Sequence, residues 1–138
     1  MAKPTTLRIP QATKEAIDAI VRVTRRDFSR VANEMLEEAV RMRRIPGVVF
    51  VDGVSGRRAR VAGTGIDVFE VALTLEGADG DTAVLGEAFP GLTPHQLKVA
   101  LAYLSAYPEE IEQRKEIERQ WESPEQVWDS FPFTRCSS

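Results

Sequence analysis

Thr5-Thr6-Leu7-Arg8-Ile9-Pro10 alternates between polar and apolar side chains and then stops at a proline. Leu7 and Ile9 point one way, Thr6 and Arg8 the other, which is the period of a short half-buried strand. From Gln11 the period changes: Ala16, Ile17, Ile20 and Val23 recur at helical spacing and form one apolar stripe. Arg25-Arg26-Asp27-Phe28 reads as a turn, and Ser29 as the N-cap of a second helix. The stripe of that helix is Ala32, Met35, Leu36, Ala39 and Val40, and its closing Arg41, Arg43 and Arg44 suit the negative end of the helix dipole. Ile45-Pro46-Gly47 ends the pattern, because proline cannot continue a helix and glycine favours a left-handed turn.

A strand and two helices within about 40 residues bury too little surface to fold alone without a metal, a disulfide or a partner chain. The only cysteine is Cys136 and no ligand cluster is spaced for a metal, so a partner chain is the expected solution. Pairing the strand with its copy in a second chain covers both open edges and lays Leu7 and Ile9 over four helices. Thr6 and Arg8 of both copies then face solvent on a two-stranded ribbon, a shape that fits the major groove of B-DNA. Arginine bonds guanine O6 and N7, and threonine bonds a base or touches a thymine methyl. The N-terminus of the second helix offers amides for a phosphate, with Ser29 and Arg30 beside them.

Residues 5 to 44 thus resemble the ribbon-helix-helix family of repressors and antitoxins. The resemblance implies an intertwined dimer whose outward strand residues, here Thr6 and Arg8, read operator DNA. Many members carry glycine in the turn, where this chain has Arg26-Asp27-Phe28.

Residues 45 to 107 read as a second module. Val48 to Asp52 and Arg57 to Ala62 form an expected hairpin around Gly53, Ser55 and Gly56. Asp67 is placed to cap a helix reaching about Leu75, and Asp81 a short helix to Phe89. Thr93-Pro94 opens another helix to about Tyr107. The string Gly56-Arg57-Arg58-Ala59-Arg60-Val61-Ala62-Gly63-Thr64-Gly65-Ile66-Asp67-Val68, then Phe89-Pro90-Gly91-Leu92-Thr93 and Gln96-Leu97, resembles domain of unknown function 433. That family implies a hairpin on a helix-turn-helix-like bundle and an association with antitoxins, often beside a PIN-like ribonuclease. Many members have arginine where Gly65 stands. The last helix pair would expose only His95, Gln96 and Lys98, and its segment is acidic, so packing is the expected role rather than a second DNA contact. Arg57, Arg58 and Arg60 suit contact with DNA, an acidic partner surface or a solvated hairpin edge.

Residues 108 to 138 begin with a charged helix from Glu109 to Trp121, followed by Trp128, Phe131 and Phe133 among acidic residues. Aromatics of this kind either anchor a partner or fold back into the chain's own core. The antitoxin resemblance implies that the partner is a toxin whose metal-binding carboxylates Arg135 could meet, as could Arg119 or Arg114.

Net charge is +4 over residues 1–44, −3 over 45–107 and −4 over 108–138, a basic head on an acidic body. No apolar run is long enough for a membrane span or a signal sequence, so a cytoplasmic protein is expected. No nucleophile has a base beside it, no glycine-rich phosphate loop occurs, and lone His95 has no catalytic or metal-binding neighbour, so neither an enzyme nor a cofactor is expected. The sequence reads as mainly α with short β: an N-terminal ribbon-helix-helix, then a hairpin with a helix-turn-helix-like helical domain. The expected function is that of a type II antitoxin, a homodimer or higher oligomer that binds operator DNA and a PIN-like ribonuclease toxin. A stand-alone dimeric transcription regulator with a ligand-binding or oligomerisation domain is the alternative, and an adaptor that uses the ribbon only to dimerise is a third.

Overall fold

The computed structural model describes residues 3–53 and 56–120. The chain divides into two compact units, residues 1–44 and 45–138. Among the described residues it is mainly helical, with one two-stranded antiparallel hairpin.

The first unit holds α1 (Gln11–Thr24) and α2 (Phe28–Arg44). Residues 3–10 form no strand: a ladder needs a partner, and the single chain supplies none beside them. Pro10 sits in an extended conformation at the entry to α1, where its missing N–H costs nothing. α1 ends at Arg25, whose φ of 56° is left-handed and whose N–H returns to the Val21 carbonyl at 2.8 Å. The turn is therefore made by an arginine doing what glycine does more cheaply. Arg26 reaches across it and grips both oxygens of Glu34 at 3.1 Å. Ser29 is not the cap. Asp27 Oδ1 accepts the Arg30 N–H at 2.7 Å, so the helix begins at Phe28, one residue before the serine.

The second unit is built around one apolar core. β1 (Val48–Gly53) and β2 (Gly56–Val61) pair with Val48 opposite Val61 and Phe50 opposite Ala59. Directly opposed residues share a face, so these four line one side of the hairpin. α3 (Val68–Gly77), α4 (Ala83–Ala88), α5 (Pro94–Ala106) and α6 (Pro108–Gln120) complete the unit. Val68, Val71, Leu85, Leu92, Val99, Ala100 and Tyr103 join the hairpin residues in the core. Phe50 meets Tyr103 edge to face, with ring centroids 6.3 Å apart. Gly47 is required where the chain enters β1: its φ is +109°, and a Cβ there would lie 2.9 Å from a Val99 methyl.

Local signals set the helix starts. Thr93 Oγ1 accepts the Gln96 N–H at 3.1 Å while Gln96 Oε1 accepts the Thr93 N–H at 2.8 Å, a complete capping box with Pro94 in the first turn. Asp81 Oδ1 accepts the Ala83 N–H at 3.0 Å at the start of α4. The segment read as the beginning of a separate tail belongs to the second unit: α6 buries Ile111 against α3 and α5.

Candidate functional site

The first unit exposes what a folded domain normally covers. α1 and α2 bury only Ile17 and Val31. Val23 is 84% exposed, Leu36 54% and Val40 52%, and Leu7 in the preceding segment is 64% exposed. Ile20 and Met42 are open as well. Both helices are strongly amphipathic, so these residues form stripes rather than scattered points. Burying one such Leu or Val side chain contributes about 1.5–3 kcal/mol, so the single chain leaves several kcal/mol of possible burial unused on this face.

Thr6 and Arg8 are exposed in the irregular segment before α1, and Ser29 and Arg30 are exposed in the first turn of α2. The expected phosphate seat is altered by Asp27. Its carboxylate occupies the Arg30 amide and sets a negative charge where an anion would approach.

In the second unit, Asp67 stands at the N-cap position of α3, but its side chain makes no cap hydrogen bond. It is 5% exposed, and its carboxylate is held by two guanidinium groups: Arg58 Nη1 at 3.2 Å on Oδ2 and Arg60 Nε at 3.2 Å on Oδ1. A short backbone bridge between Arg60 and Asp67 fixes the pairing. Arg58 lies flat over Gly53, where an added Cβ would come within 2.4 Å of its Nε. That enclosure leaves Arg58 Nε buried without a hydrogen-bond partner. Arg57 pairs with Asp52 at 3.1 Å and donates to the Phe50 carbonyl at 3.2 Å. All three arginines therefore serve the hairpin, and two of them lock it to α3. Sequence reading had no means to find this, because the partner of Arg58 is nine residues away and opposite in strand face to the core.

A cleft of about 150 Å³ opens between β2, the start of α3 and α6. Arg57, Arg58 and Arg114 line it, with Phe69, Ile111 and Ile117 among its apolar walls. Arg114 lies 4.9 Å over the Phe69 ring and pairs with Glu118 at 2.9 Å. Within it, Glu110 accepts a hydrogen bond from the buried Tyr103 hydroxyl.

The side chains of His95 and Lys98 are exposed on α5, while that of Gln96 is spent on the capping box. Trp121, Trp128, Phe131, Phe133 and Arg135 lie outside the described residues. Among the described residues no cluster of His, Cys, Asp and Glu is placed to hold a metal ion, and no helix is long and apolar enough to cross a membrane. Comparison with protein families, curated proteins and solved structures returned no match.

Proposed function

We propose that the protein is a type II antitoxin: a dimer whose ribbon-helix-helix head represses its own operon and whose remaining chain binds and inhibits a PIN-like ribonuclease. The carrying observation is the open apolar face of residues 7–42, which two helices in one chain leave uncovered. A second copy covers it by the symmetric rule that the same patch meets itself, and gives residues 5–9 the strand partner they lack. The resulting ribbon presents Thr6 and Arg8 together, and the net charge of +4 over residues 1–44 favours DNA. With the Arg30 amide taken by Asp27, a phosphate there falls to the Ser29 hydroxyl and the Arg30 guanidinium. The helix-turn-helix-like pair α4 and α5 is a packing element, since Leu85, Val99, Ala100 and Tyr103 commit it to the core.

The toxin half of the reading rests on the resemblance of residues 56–103 to an antitoxin-associated module and on the separation of a basic head from an acidic second unit. Affinity capture of the tagged protein from its native host tests it. A stoichiometric small nuclease, inactive in the complex and active when released, is the expected result. A homodimer recovered alone at low salt overturns the toxin half and leaves a stand-alone regulator.

A further inference from the structure

We propose that the cleft between β2, α3 and α6 seats residues 121–133 of the same chain. Residues 45–120 carry seven Lys or Arg and twelve Asp or Glu, yet three of those seven cations converge on this one cleft. Only Glu110 among its lining residues is acidic. Two of the three guanidinium groups are held by partly exposed ion pairs, Arg57 with Asp52 and Arg114 with Glu118. Such pairs contribute little and exchange readily for a better-placed carboxylate. Arg58 stays with buried Asp67 and acts as a fixed wall.

The floor is apolar: Ala59, Val68, Phe69, Ile111 and Ile117. Among the described residues of the second unit Ile117 and Leu73 are the exposed large apolar side chains; Ile117 lines this cleft and Leu73 an adjoining one that shares Phe69. The site thus calls for carboxylates on its rim and large apolar side chains on its floor. Residues 121–133 supply that chemistry: Glu122, Glu125 and Asp129, no Lys or Arg, and Trp121, Trp128, Phe131 and Phe133. They begin one residue after α6, the helix that forms one wall, and about 40 Å of extended chain is ample to return along it. This seat does not depend on a toxin; where one exists, it and the cleft compete for the same aromatic segment.

Trp121 and Trp128 are the only tryptophans, so the fluorescence of the full chain reports on this segment alone. Blue-shifted emission with low acrylamide quenching is expected, independent of protein concentration. Reversing both exchangeable cations, Arg57→Glu with Arg114→Glu, should lower the ratio of docked to free segment about fivefold, the scale of two partly exposed ion pairs, and so raise the quenching. Lys98→Glu, on α5 outside the cleft, should leave it unchanged. Because charge reversal at β2 risks the hairpin, the unmodified protein is also titrated with salt, which should expose the tryptophans progressively. Solvent-like emission at low salt overturns the proposal, as does quenching indifferent to salt. Protection that vanishes on dilution places the segment on a second copy and overturns it equally. Capture of a nuclease from the host bears only on the toxin reading, so the two can fail separately.

Discussion

Arg60 Nε donates to Asp67 Oδ1, seven positions on, at 3.2 Å, and so ties the second hairpin strand to the residue before α3. Arg58 holds the other oxygen of the same carboxylate at 3.2 Å. A buried acid with two bases is costly to disturb, because removing it leaves two cations with no partner for their desolvated faces.

Asp67→Ala is therefore expected to destabilise the second unit by about 3 kcal/mol, the lower part of the range for a broken buried pair, since both arginines keep some solvent. Thermal unfolding followed by circular dichroism measures it. A loss no greater than that from Asp52→Ala, whose pair is exposed, would mean the clamp does not hold the hairpin.

Arg25 adopts a left-handed conformation that costs a side-chain-bearing residue about 1 kcal/mol or more. Arg25→Gly should stabilise the first unit by about 0.5–1 kcal/mol. Denaturant midpoints compared at one protein concentration read this, since unfolding of the proposed dimer would depend on concentration.

Lys115 on α6 bonds Glu76 of α3 at 2.6 Å and Glu112 at 3.2 Å. The hydrogen bond to Glu76, then that to Glu112, raises its pKa above the ordinary 10.5. A raised folded-state pKa contributes stability that is whole below 10.5 and is lost as pH climbs through the higher folded value. The melting temperature of the native protein should accordingly fall toward that of Lys115→Met above pH 10.5, and the two should stay separated below it. Parallel curves at all pH values would remove the ion pair as the cause.

Leu36 and Val40 lie one turn apart on the open face of α2. On the proposed dimer, whose interface is this face, Leu36→Glu is expected to yield a monomer with loss of helicity, measured by sedimentation and far-ultraviolet circular dichroism. An unchanged dimer would locate the interface elsewhere and would falsify the ribbon assignment.

On DNA, Arg8→Ala should abolish discrimination between operator and random sequence while leaving the dimer intact, because base-edge contacts carry specificity. Asp27→Asn keeps an N-cap yet removes a negative charge, so it should tighten binding to all sequences alike. Fluorescence anisotropy at two salt concentrations separates the effects. Equal discrimination by Arg8→Ala would move the reading surface off residues 5–9.

What the sequence determined by itself is local. The helical periods of α1 and α2, the break at Pro46-Gly47, the alternation of the hairpin and the Thr93–Gln96 capping box all act between residues a few positions apart, where spacing alone dictates geometry. The choice of Asp27 over Ser29 as cap lay one residue beyond that legibility, since both are good caps and only the path of the turn through left-handed Arg25 selects between them. The fate of Arg58, Arg60 and Asp67 was decided by tertiary structure. Their meeting depends on how the hairpin is laid against α3, and a charge on a strand looks the same in sequence whether it faces water or a buried carboxylate. Ile111 and Lys115 likewise bring α6 into the second unit through contacts with α3 and α5 that no period announces. Residues 5–9 mark the opposite limit: their alternation is plain in the sequence, but a strand exists only when another backbone satisfies it, and no segment of the single chain lies beside them to do so.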